Sequence, residues 1–182
     1  MPGRYLRILT ILLTVLLARS ASGQASSDQL VGIPVYDPGS KRYFALMRAD
    51  PHNWGTMWDK VAQQARNQVY KGVRGRLAIV DSFEIHEFLL RTFHPNQYQY
   101  VWIGLRYLCR AKALQWSDGR MFQPGSFEAW DPKWKQDIYV CSDTNDRHDW
   151  APVAYSPHFT WIVKGRHKGY DWYFIEFPTG HP

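Results

Sequence analysis

Cysteine is scarce in this sequence, with only Cys109 and Cys141 among 182 residues. Two thiols exclude a disulfide-dense scaffold and any four-cysteine zinc site. The seven histidines are scattered, and no His-x-His or His-x-x-x-His pair offers a metal-binding spacing. His148-Asp149 beside Asp146 resembles a base with its orienter, but no serine or cysteine nucleophile is marked nearby. Catalysis is therefore not expected. There is no internal repeat and no low-complexity tract. No apolar run reaches the roughly 20 residues of a membrane span.

Charge of one sign is also in short supply. The 22 Lys and Arg exceed the 16 acids by six. Three of those bases, Arg4, Arg7 and Arg19, fall in residues 1–23, which read as a secretory leader. A basic start precedes an apolar run over 8–17, and Ala21 and Gly23 are placed for cleavage before Gln24. Without the leader the excess falls to three, too little to argue for nucleic acid, which needs a concentrated basic stripe. The expected product is secreted or periplasmic, with no membrane span.

What the chain has in quantity is aromatic surface: nine Trp, eleven Tyr and nine Phe. Bulky rings at this density suit a loop-rich domain pinned by large side chains, with some rings left outside for recognition. Mean hydropathy is -0.43, and 182 residues suffice for one domain with a real core.

Residues 24–42 read as a lead-in segment, partly ordered where it meets the domain, and 43–178 as one unit with a tail at 179–182. A strand is expected at 43–47. Trp54, Met57, Trp58, Val61, Ala62, Ala65 and Val69 recur at spacings of three and four, which predicts an amphipathic helix started by Asn53 and stopped near Gly72. Residues 75–80 are extended. A second helix is expected to open at Asp81, with Glu84 completing a capping box and Ile85, Phe88, Leu89 and Phe93 turned inward. A strand follows at 100–105 and a turn at 116–119. Periodicity then vanishes from Gly119 to Tyr155. The strands at 159–163 and 172–177, joined by a turn at 164–169, read as a closing hairpin. This order describes an α+β domain whose long irregular loop is its functional surface.

Four words in that order carry a resemblance. GRLAIVDSFEIHEFL (75–89), WIGL (102–105), WSDG (116–119) and YFIEF (173–177) together resemble the C-type lectin-like domain family. The resemblance implies two small antiparallel sheets, two helices and a long loop region that carries ligand sites. It assigns Trp102 and Leu105 to the core beneath that loop, and Trp130 to a buried position. A distant branch of this fold performs oxidative chemistry with close cysteine pairs or a metal cluster, and neither pattern occurs here.

The chain departs from the family pattern in two places. Members usually tie helix one to the last strand by a disulfide, where this sequence has Ile175-Glu176 and no cysteine in helix one. In an exported chain Cys109 and Cys141 most simply bridge each other, closing the loop region instead. Free thiols or an intermolecular pair are the alternatives.

Calcium-dependent members also carry Glu-Pro-Asn or Gln-Pro-Asp in the loop and Trp-Asn-Asp on the penultimate strand. Here Gln123-Pro124-Gly125 lies before Trp130, and Trp161 is followed by Ile162 and Val163. A glycine and two apolar side chains supply no oxygen for calcium. No cofactor is expected. The acidic stretch Asp143, Asn145, Asp146 and Asp149 is a weaker candidate for a metal, since Asp and Asn also serve turns for local reasons.

The ligand candidates are Trp134, Trp150, Tyr155 and that same stretch, Asp143, Asn145, Asp146 and Asp149. An indole can pack on the apolar face of a sugar while carboxylates take hydroxyls, or it can anchor a protein interface. For Trp134 and Trp150 a place in the loop's own small core remains equally open. The expected function is a lectin-like protein that binds carbohydrate or glycoconjugate. The alternative is a protein-binding module, adhesin-like or engaged in host interaction, on the same scaffold.

Overall fold

The computed structural model describes residues 29–52, 56–134, 141 and 149–182. The expected leader lies outside the described residues. Strand β1 (Gln29–Asp37) turns back antiparallel into β2 (Arg42–Arg48). Asp37 makes the turn, its carboxylate accepting from the amides of Gly39 at 3.4 Å and Ser40 at 3.0 Å. β1 lies in the expected lead-in, so the folded unit begins before residue 43. That segment is short of alternating apolar residues because β1 is an edge strand with one neighbour.

Helix α1 (Trp58–Asn67) buries Trp58, Val61, Ala62 and Ala65, one apolar stripe at helical spacing. It is shorter than its pattern. Met57 holds the N-cap, Gln68 is already extended, and Asn53 lies outside the described residues. A small hairpin of β3 (Val69–Tyr70) and β4 (Val73–Arg74) follows, then β5 (Arg76–Leu77).

Helix α2 (Phe83–Phe93) corrects the expected capping box. Ser82 is the cap, its hydroxyl accepting from the Ile85 amide at 3.3 Å. Asp81 is drawn instead to Arg42 at 2.9 Å and Arg120 at 3.3 Å. Ion pairing with two guanidiniums wins over a cap bond.

Five strands complete the chain: β6 (Val101–Leu108), β7 (Ala113–Trp116), β8 (Trp150–Tyr155), β9 (Trp161–Val163) and β10 (Trp172–Phe177). The α+β class holds with two sheets, a large mixed one of eight strands and the two-stranded antiparallel pair β3-β4. The main path runs β1-β2-β10-β6-β8-β9, with β10 and β6 parallel, β5 beside β10, and β7 beside β6.

The closing hairpin does not form. β9 pairs with β8, while β10 crosses to lie between β2 and β6. The last six residues of the expected irregular loop are β8, a strand buried along nearly its whole length. A strand covered on both faces reads as a mixed run rather than an alternation, and Pro152 within it masks the pattern further.

The core lies on both faces of this sheet. α2 delivers Ile85 and Leu89 to a cluster with Phe44, Ile103, Leu105, Tyr155, Trp161 and Phe174. α1 delivers Trp58, Val61 and Ala65 to a cluster with Tyr43, Trp102, Ala154 and Tyr173. Trp102 and Leu105 are fully buried, as expected. Gly104 between them has no substitute, because a Cβ there would meet the carbonyl oxygen of Leu77 and the Ser117 hydroxyl, each at 2.6 Å.

Glu176 sits in this core with no solvent exposure. It accepts from Arg76 Nε at 2.6 Å, Arg42 Nη1 at 3.0 Å and the Ile79 amide at 3.0 Å. Burial pushes its pKa up, and the two guanidiniums pull against that shift. Together the three contacts tie β2, β5 and β10 at one point.

Candidate functional site

The stretch after β7 is pinned to β9 by backbone bonds. Trp130 and Trp161 form a parallel bridge, and the Asp131 amide donates to the Trp161 carbonyl at 2.9 Å. Trp161 itself is wholly buried and meets Trp116, Phe127 and Trp130 edge to face. Such perpendicular contacts put the positive edge of one ring on the negative face of another.

On this buried base stands a second ring pair. Trp130 and Trp134 stack with centroids 4.2 Å apart and planes inclined by 20°. Asp131 shapes the turn between them. Its Oδ1 accepts from the Lys133 amide at 2.9 Å, its carbonyl from the Trp134 amide at 2.9 Å, and its Oδ2 from the Thr160 hydroxyl at 3.2 Å. Both indoles are half-buried, so the expectation that Trp130 is simply core holds in part only. The pair borders an open depression of about 480 Å³ lined also by Glu128, Asp131 and Pro132. Half-buried rings beside two carboxylates make a surface able to pack an apolar ring face and accept hydroxyl hydrogen bonds.

The other expected ligand residues that are described, Trp150, Asp149 and Tyr155, do not gather here. Trp150 is half-buried on the opposite face of the sheet, edge to face with Trp58 at 5.2 Å. Asp149 pairs with Arg110 at 2.8 Å, and its carbonyl accepts from the Cys109 amide. Tyr155 is a correction. It has no exposure, and its hydroxyl lies 2.7 Å from His86 Nδ1, so it is a core residue. Successive residues of β8 face the two core clusters in turn, and Tyr155 falls on the side that packs against α2. Asp143, Asn145 and Asp146 lie outside the described residues. Cys109 and Cys141 form a disulfide.

The residues at the calcium positions of the resembled family do not fit the ion. Ile162 and Val163 carry no oxygen in their side chains, and Val163 is 2% exposed. Gly125, at φ +80°, has open space where a side chain would stand. Among the described residues no three His, Cys, Asp or Glu side chains are grouped to hold a metal ion.

Sequence reasoning missed Glu128 and Asp131. The signal was present in FEAWDPKW (127–134), where acids alternate with rings, but the missing periodicity hid which rings share a face.

The family model of the lectin C-type domain matches residues 59–162. Solved structures of similar fold include the human scavenger receptor C-type lectin carbohydrate-recognition domain, with TM-score 0.55 and 11% identity, covering 80% of this chain and 97% of that one. A second is the cow C-type carbohydrate-recognition domain of CD23 in the presence of a GlcNAc2Man3 oligosaccharide, with TM-score 0.51 and 19% identity, covering 75% and 87%. A third is the C-type lectin CEL-I from Cucumaria echinata, with TM-score 0.51 and 15% identity, covering 74% and 89%. No curated relative matches the sequence. Identities this low carry the fold alone. No helix among the described residues is long and apolar enough to cross a membrane.

Proposed function

The chain belongs to the C-type lectin domain family, and from that premise we propose that it is an exported binding protein that recognises carbohydrate through the Trp130–Trp134 face without calcium. The observation that supports this most is the stacked indole pair bordering a depression with Glu128 and Asp131. A pyranose ring presents an apolar face of C–H groups and a rim of hydroxyls. The indoles complement the first and the carboxylates the second. Glu128 has no ion-pair or hydrogen-bond partner among the described residues, so its oxygens are available to a ligand without breaking an existing contact.

Calcium independence rests on the donor set. In the calcium-dependent members the ion bridges carboxylates and sugar hydroxyls, and Ile162 and Val163 offer nothing to such a bridge. Export rests on the leader at 1–23, and the disulfide between Cys109 and Cys141 agrees with an oxidising compartment. The unit proposed to act is 43–178 together with β1. Lectin domains of this family are binding modules, and no catalytic role is proposed.

A glycan array probed with the wild-type protein and Trp134→Ala tests the reading. Binding to a defined set of saccharides that Trp134→Ala loses supports it. An empty array, with a protein partner instead captured through the same face, favours the alternative of a protein-binding module.

A further inference from the structure

On the face of the sheet opposite the Trp130–Trp134 pair, the described residues gather cations that carboxylates only partly balance. Arg106 on β6 lies across from Pro152 on β8, and the Lys164 amide donates to the Pro152 carbonyl at 2.9 Å, so the three are lateral neighbours. Trp150 is flanked by two guanidiniums, Arg166 at 4.5 Å and Arg106 at 5.6 Å from its ring. Lys164 Nζ stands 4.0 Å from the Tyr100 ring. Tyr100 in turn packs on Tyr170 at 4.6 Å, and both line a depression of about 150 Å³.

The pairing of these cations is incomplete. Arg166 reaches Asp59 at 3.3 Å. Among the described residues the Arg106 guanidinium donates only to the neutral Gln115 carbonyl oxygen, at 2.6 and 3.1 Å. Among the described residues no carboxylate pairs with Arg106 or Lys164. Burial, and then the charge of Arg166, hold the Arg106 pKa below the ordinary arginine value. Half-buried like charges around one indole cost energy that an anion placed between them recovers.

We propose that Arg106 and Arg166, which flank Trp150, together with Lys164 beside them over Tyr100, form a binding site for the sulfate or carboxylate groups of an acidic saccharide. Arginine forks suit both anions, and the neighbouring Trp150, Tyr100 and Tyr170 offer ring faces to the sugar that carries them. A nucleic acid fits less well, because the cations occupy one small patch and not a stripe. The site lies on the other face of the sheet from Trp134, so it stands or falls independently of the function proposed above.

Titration of the whole exported chain with a heparin-derived octasaccharide and with its desulfated counterpart tests the site. The expected result is binding of the sulfated form that weakens about tenfold in Arg106→Gln and again in Lys164→Gln. Arg74→Gln, which removes the same charge from exposed β4, and Trp134→Ala are expected to leave it unchanged. Circular dichroism checks that each variant is folded. Equal weakening by Arg74→Gln would reduce the effect to net charge and overturn the proposal. So would absence of binding, undiminished binding in Arg106→Gln and Lys164→Gln, or tighter binding of single-stranded DNA of equal charge.

Discussion

Trp130 and Trp161 meet edge to face with centroids 5.4 Å apart and planes at 88°, and a backbone bridge joins the same two residues. Trp161 is core and Trp130 is half-exposed, so one contact fastens the candidate ligand face to the buried sheet. The outer ring, Trp134, is then held by stacking and by the Asp131 turn. Rings already fixed by such contacts have less entropy to lose on binding.

The Glu176 network gives a stability prediction. Glu176→Gln leaves the Arg42 and Arg76 guanidiniums facing a neutral amide in the core. Breaking a buried pair from one side costs about 3 kcal/mol. Urea denaturation should show a loss of that size with the slope of the transition unchanged. A loss under about 1 kcal/mol would mean that the network contributes little.

His86 predicts how stability depends on pH. Burial holds its pKa below the ordinary histidine value, with Glu87 opposing, and its Nδ1 faces the Tyr155 hydroxyl. Near pH 6.5 the unfolded chain takes up a proton at this position and the folded chain does not. Its contribution is therefore whole above that pH and is lost as pH falls from about 6.5 toward the folded pKa. The melting temperature should decline over that window, and His86→Gln should flatten the decline. A variant curve parallel to the wild type would contradict the assignment.

The disulfide joins residues 32 apart in sequence. Closing a loop of that length stabilises by about 3.7 kcal/mol on the chain-entropy model. The unreduced exported protein, denatured, should release no titratable thiol, and reduction should lower its stability by about that amount. Two free thiols, or a dimer that reduction dissolves, would overturn the intramolecular bridge.

Much of the fold was legible because its words are physical requirements. Gly104 in WIGL stands where no Cβ fits, and the α1 and α2 stripes follow from helical spacing. The strand at 172–177 was read with its true bounds. Its partners were not, because strand pairing is non-local, and adjacency in sequence suggested a hairpin with β9. Tyr155 was misread for a related reason. With β8 unrecognised, nothing indicated that both of its faces are packed into the core. The candidate site was half legible. Trp134 was identified from its residue type, whereas the stack with Trp130 depends on a turn that Asp131 builds and no periodicity announces.

The central claim is that sugar is held by stacked indoles and carboxylates and not by calcium. Isothermal titration of the strongest array ligand tests it directly, with wild-type protein in millimolar calcium, wild-type protein in chelator, and Trp134→Ala. The expected result is the same Kd with calcium and with chelator, and a Kd at least about tenfold weaker in Trp134→Ala, a loss of about 1.4 kcal/mol. Binding that chelator abolishes, or that Trp134→Ala retains in full, would contradict it.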